Sequence, residues 1–212
     1  PPEGIMNAIV RPSGHLRQTS LLVTLGFVAA LLTGCLSPKS YVDPKFRDAT
    51  YLSLKPQEKA IPVTVEASFQ LNGKEVKRQN QQVRSRVNKV LFNSRVFCEP
   101  DVEQRAAAGR LKIVVNDRGN IGSAVGKGMV TGFTFGLVGA KVVDSYAMTA
   151  EYTPANGKPL VSKTYEHAIH STVGVHSAPA GLEPVAMEVA FDQIIEDMLL
   201  NFLRDLQKEN LL

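Results

Sequence analysis

The sequence contains no tryptophan, and only two of its 212 residues are cysteine. Two cysteines exclude a disulfide-built miniprotein and a Cys-rich zinc module. Neither sign of charge dominates: 24 basic residues stand against 20 acidic ones, for a net charge of +4. No run of five like charges occurs, which excludes a charged tail and argues against nucleic acid as a partner. Long apolar runs are scarce too. The clearest is Leu21 to Leu32, 12 residues without a charge; as a helix it would rise about 18 Å against a hydrocarbon core of about 30 Å, too short to span. Catalytic signatures are missing as well, with no Gly-x-Ser-x-Gly elbow and no His-Glu-x-x-His helix. His167 and His170, three apart in a predicted strand, point to opposite faces and cannot converge on one metal; His176, in a loop, could join only one of them. What is present is ample apolar material, 44% of positions with 21% charged. That suits one globular domain and is too apolar for a disordered chain.

The N-terminus carries an address. The translation start is read at Met6, with Pro1 to Ile5 upstream of it. From Met6 to Ser20 the segment has Arg11 and Arg17 and no acid; the apolar run follows, and then Thr33-Gly34-Cys35. A basic region, a short apolar core and small residues at the exit are the parts of a secretory signal peptide. Leu32-Thr33-Gly34-Cys35 resembles the lipobox of bacterial lipoproteins at all four positions. The resemblance implies that residues 1–34 are removed and that the Cys35 thiol carries a diacylglycerol. It also implies an outer-membrane address on the periplasmic face, because Leu36 rather than Asp follows the cysteine. Two or three acyl chains anchor stably where one would be marginal. Cys98 is then left without an intramolecular partner and, next to Val96-Phe97, is expected to be a buried small hydrophobe.

Residues 36–60, with Pro38, Pro44 and Pro56 among polar positions and Tyr41, Phe46, Tyr51 and Leu54 spaced irregularly, read as a tether that lifts the domain off the bilayer and partly docks on it, within a lipid-anchored segment 35–60. The domain proper is expected over 61–212. Val63, Val65, Ala67, Phe69 and Leu71 alternate with polar residues, as in a half-buried strand ending at the turn dipeptide Asn72-Gly73. Val76, Val83, Val87, Val90 and Leu91 form one helical stripe, with Lys77, Arg78, Arg84, Arg86 and Lys89 around the rest as a solvated face or a contact for acidic headgroups or an acidic partner. Val96-Phe97 suggests a short strand, Asp101 to Gly109 a short helix or turn, and Leu111 to Val115 a strand. In Val142 to Tyr152, Tyr146, Met148, Ala150 and Tyr152 share one face; Asn156-Gly157 signals a hairpin, and Leu160 to Ile169 returns with Val161, Tyr165 and Ile169 together. Pro184 suits the first turn of a long amphipathic C-terminal helix bearing Met187, Phe191, Ile194, Ile195, Met198, Phe202 and Leu206, with Asp192, Glu196 and Asp197 on its solvated side. The order predicts an α+β fold, a two-layer sandwich whose antiparallel or mixed sheet is covered by two helices.

One segment is unusual. Between Gly119 and Ala140 there are seven glycines, and from Asn120 onward Lys127 is the only charge. A phosphate cradle fails on spacing: Gly122 stands three residues before Gly126-Lys127, and Gly128 occupies the place of the hydroxyl residue. Gly128, Gly132 and Gly136 repeat every four residues beside Phe133 and Phe135. On a helix they would form a smooth ridge for membrane or oligomer contact. The pattern resembles the glycine-zipper segments of some envelope lipoproteins. The other reading is a flexible glycine-rich loop, because each glycine costs an aqueous helix roughly 1 kcal/mol relative to alanine.

Architecture and address together resemble small periplasmic assembly lipoproteins of the curli-secretion, flagellar and polysaccharide-export type. The expectation is a non-catalytic outer-membrane lipoprotein, a structural or assembly component of a cell-envelope complex. Its expected partners are the membrane, through a diacylglyceryl Cys35, and an envelope protein or further copies of itself. No cofactor, metal, nucleotide or nucleic acid is expected. The alternatives are a membrane-inserting or pore-lining protein acting through residues 120–140, and a periplasmic hydrolase.

Overall fold

The computed structural model describes residues 39–103, 108–118, 140–173 and 180–212. Cys35, Gly128, Gly132, Phe133, Phe135, Gly136 and His176 lie outside the described residues, and so does the 119–139 segment. The described residues form a mixed α+β sandwich. Its strands are β1 (Lys39–Val42), β2 (Ile61–Leu71), β3 (Lys74–Glu75), β4 (Phe97–Cys98), β5 (Gly109–Asp117), β6 (Ala140–Thr153) and β7 (Val161–Val173). Helix α1 (Lys77–Ser94) follows β3, and helix α2 (Met187–Lys208) closes the chain. The sheet order is β1-β7-β6-β5-β2-β3, with β4 pairing β2. Only the β2–β5 and β2–β4 pairs are parallel; all the others are antiparallel.

Local chemistry explains the elements. Asn72 and Gly73 both adopt positive φ, 51° and 80°, which closes the two-residue turn that pairs Leu71 with Lys74. The alternation in β5 and β6 puts Leu111, Ile113 and Val115 beside Tyr152, Ala150 and Met148 on one buried face. Both helices cover that face. α1 contributes Val83, Val87, Val90 and Leu91; α2 contributes Ile194, Ile195, Met198, Leu199, Phe202, Leu203 and Leu206. Glu188 in the first turn of α2 and Lys208 in its last complement the helix dipole. The other sheet face is a ladder of polar cross-strand pairs, including Lys112–Glu151 at 3.2 Å and Thr149–Thr164 at 3.1 Å.

The fold corrects four expectations. Residues 39–60 dock on the domain as part of it, well beyond the partial docking expected of a tether: β1 pairs along β7, and Tyr41, Val42, Ala49 and Leu54 are buried. Short polar segments with prolines hide such a strand because only four residues pair. Pro184 precedes the helix, since Val185 forms a bridge with Ser40 and Ala186 caps α2. Cys98 is exposed, because β4 turns Phe97 inward and its neighbour outward. The buried stripe of α2 is wider than the spacing suggested, adding Leu199, Leu200 and Leu203, while Met187 is 43% exposed.

Gly109 sits where β5 begins, and a Cβ there would lie 2.9 Å from the Thr153 carbonyl oxygen and 3.4 Å from Tyr152. The obstacle is backbone in a paired strand, so it cannot rotate aside. Gly109→Ala is expected to cost about 1–3 kcal/mol in urea unfolding, in the range of core overpacking.

Candidate functional site

Two polar features interrupt the core. The first is a seam between β7 and α2. The Tyr165 hydroxyl donates to Asp205 Oδ2 at 2.7 Å, and Lys163 Nζ lies 2.5 Å from Glu209 and 3.5 Å from Asp205. His167 Nδ1 accepts the Ala168 N–H at 2.9 Å, so Nε2 carries the proton facing Asp197 Oδ2 at 3.2 Å. Asn201 Nδ2 donates to the carbonyls of Asp197 (2.7 Å) and Phe46 (2.9 Å), and its Oδ1 accepts from Arg204, which also binds Asp48 at 2.7 Å. The short 3-10 turn Pro44–Phe46 lays the Phe46 ring edge-on to His167 and Tyr165, with centroids 5.5 and 5.9 Å away.

A His–Asp pair invites a catalytic reading, and its geometry argues against one. The His167 side chain has no solvent exposure, and both ring nitrogens are engaged by this chain. The seam satisfies polar groups where a short edge strand ends and α2 crosses β7. His170 lies on the opposite sheet face, as the i, i+3 spacing requires, level with Tyr41 and Val143. Among the described residues no group of three His, Cys, Asp or Glu side chains could hold a metal ion.

The second feature is a groove of about 970 Å³ between α1 and the first turns of α2. Its apolar floor is Phe69, Leu71, Val76, Tyr146 and Phe191; Arg78, Gln79, Gln82, Ser85 and Lys89 form the α1 lip, and Met187, Glu188 and Asp192 the α2 lip. Arg86 crosses between the lips. Its Nε hydrogen-bonds Asp192, Nη2 lies 3.6 Å from Glu188, and the guanidinium stacks 5.2 Å from the Phe191 ring centroid. Phe191 in turn packs on Tyr146 and Phe69 at 5.5 and 6.0 Å. Burial raises the Tyr146 hydroxyl above its ordinary range, and the Asp117 and Asp144 carboxylates add to the shift. The phenol therefore stays a neutral donor at the groove floor. Such a surface can hold a partner by apolar contact framed by hydrogen bonds.

Sequence reasoning misplaced several of these residues. Asp192, Glu196 and Asp197 are not merely solvated: they meet Arg86, the Tyr51 hydroxyl (2.9 Å) and His167 respectively. Arg86 is likewise drawn off the solvated face, its side chain 17% exposed. The i, i+4 positions of Glu188 and Asp192, both aimed at one cation from another helix, are the signal that could have found the pair. Among the described residues, no helix is long and apolar enough to cross a membrane.

Arg86→Ala would leave Glu188 and Asp192 facing an uncovered Phe191, at an expected cost of about 1–3 kcal/mol read from the urea midpoint. A second outcome concerns alkaline pH. Tyr51 is pushed up to about 12, chiefly by burial and then by its bond to Glu196, and burial raises Tyr146, Tyr152 and Tyr165 as well. The unfolded chain releases these protons near pH 10 while the folded chain keeps them. Stability is therefore full below about pH 10 and falls as pH rises above it. Urea unfolding at stepped alkaline pH should show that fall, and Tyr51→Phe should make it shallower. No family model matches this chain, and no curated protein matches it.

Proposed function

We propose that this chain is a bacterial outer-membrane lipoprotein, held to the periplasmic face by a diacylglyceryl group on Cys35, and that it serves as a non-catalytic structural or assembly component of a cell-envelope complex. The observation that carries the reading is the position of the first strand. The lipobox-like Leu32-Thr33-Gly34-Cys35 ends three residues before β1, so only Leu36, Ser37 and Pro38 separate the cysteine from the sheet. An anchor so close to an edge strand holds a folded domain against a bilayer, which suits a component that works at the membrane surface. The groove between α1 and α2 supports the assembly part. Its apolar floor and hydrogen-bonding lips offer contact area for another protein, while the buried His167–Asp197 pair offers no reacting group.

The test is metabolic labelling with palmitate followed by membrane fractionation. Label should enter the full chain, the protein should sediment with outer membrane, and Cys35→Ser should abolish both. Label that persists in Cys35→Ser, or never enters the parent, overturns the anchored reading. Crosslinking in intact cells then tests the assembly part: a defined larger species is expected, and a lone monomer at every crosslinker dose would overturn it.

A further inference from the structure

Strand polarity brings several features to one end of the sheet. β1 is antiparallel to β7, β7 to β6 and β6 to β5, while β5 runs parallel to β2. The start of β1, the end of β2, the end of β5, the start of β6 and the end of β7 therefore share one end. α1 begins there after the Asn72-Gly73 turn, and α2 begins there after the Ser40–Val185 bridge. The opposite end holds the 154–160 turn, the start of β2 and the last turn of α2.

Three independent features converge on the first end. Cys35 precedes Lys39 by four residues, so its Cα lies within about 14 Å of the strand start however the link runs. The nearly uncharged 119–139 stretch joins Arg118, after the end of β5, to Ala140 at the start of β6, and both of these flanking residues are at this end. The third feature is charge. Lys39, Lys74, Lys77 and Arg78 are all exposed here, and none of the four side chains has an ion pair among the described residues. Lys77 and Arg78 occupy the first turn of α1, where no acidic residue offsets them and the helix dipole disfavours cations. The opposite charge at these positions would suit the helix dipole better. Met187 and Val189, each more than two-fifths exposed, add apolar surface beside them.

We infer that this end of the domain docks on an anionic phospholipid bilayer, with Lys39, Lys74, Lys77 and Arg78 on headgroup phosphates and Met187 and Val189 at the interface. The inference rests on the lipid-anchored reading for its choice of a bilayer over an acidic protein: an anchor this short leaves this end the least distance from the lipid. Cations near an anionic surface each contribute enough for roughly a fivefold gain in binding, provided they lie within a Debye length.

The experiment has two arms. In the first, the lipidated full chain carrying Cys98→Ser receives a single thiol for a fluorophore, either Ala186→Cys at the proposed docking end or Ala155→Cys at the other. Both positions are exposed. Each is reconstituted in phosphatidylethanolamine–phosphatidylglycerol vesicles with a quencher on the lipid headgroup. Quenching is expected at position 186 and not at 155; equal quenching, or the reverse order, overturns the inference. In the second arm, the unacylated Cys35→Ser chain is mixed with phosphatidylglycerol vesicles. Reversing Lys74, Lys77 and Arg78 together to Glu should weaken binding at least about a hundredfold, while reversing Lys55, Lys59 and Lys158 at the far end should change it less than about twofold. The first triple also improves the dipole match of α1, so loss of binding is not loss of fold. Equal effects of the two triples, or none from either, overturn the docking surface. Palmitate incorporation reports the anchor separately: a labelled protein whose 186 probe stays unquenched refutes this surface alone, whereas an unlabelled protein that binds vesicles through the first triple refutes the anchor alone.

Discussion

Everything in this domain depends on covering one face of a twisted sheet, and α2 does most of the covering. Ten of its residues are buried, in a band broad enough to meet β1, β6, β7 and α1. Burying each large aliphatic or aromatic side chain is worth about 1.5–3 kcal/mol, so the helix supplies a driving force that neither the four-residue β1 nor the two-residue β3 and β4 could supply alone. The short strands are possible because the helix layer is already in place. β1 in particular is held from both sides, by β7 through its ladder and by Val185 through a bridge just before α2 begins.

A helix that crosses a sheet edge leaves backbone groups without ladder partners, and the polar seam answers that need. Ala168 N–H finds the His167 ring, the Phe46 carbonyl finds Asn201, and the Lys55 N–H finds Gln207 at 2.9 Å. Unpaired buried polar groups cost more than paired ones gain, so side chains that look catalytic in isolation are accounted for by the join itself. The same logic applies across the groove. Arg86 stands on a half-buried floor only because two carboxylates of α2 and the face of Phe191 receive it. It ties the middle of α1 to the first turns of α2.

The domain is consequently asymmetric from end to end. One end gathers the strand start nearest Cys35, both roots of the glycine-rich stretch, the groove mouth and a set of cations that α1 does not need. The other end closes with the hairpin turn and the last helical turn. Such polarity gives the proposed anchored orientation an up and a down, with the polar ladder of the outer sheet face running between the two ends.

Elements whose physics is local and repetitive were legible in the amino-acid order alone. Period-two alternation marked β2 and β6, the short run Leu111 to Val115 marked β5, the Asn156-Gly157 hairpin signal marked β7, helical spacing marked α1 and α2, and Asn72-Gly73 marked a turn that needs positive φ. From these the two-layer α+β arrangement followed. Features that depend on partners distant in the chain emerged only from the packing. Lys39–Val42 is a strand because β7 and Val185 lie on either side of it, and four residues carry no legible period. Cys98 faces solvent because β4 pairs with β2 in one of two possible phases. Asp192, Glu196 and Asp197 look alike on a helical wheel, yet each meets a different residue: Arg86 on α1, Tyr51 in a turn and His167 on β7. Periodicity reports which way a side chain points relative to its own element; what waits there is set by how the elements pack.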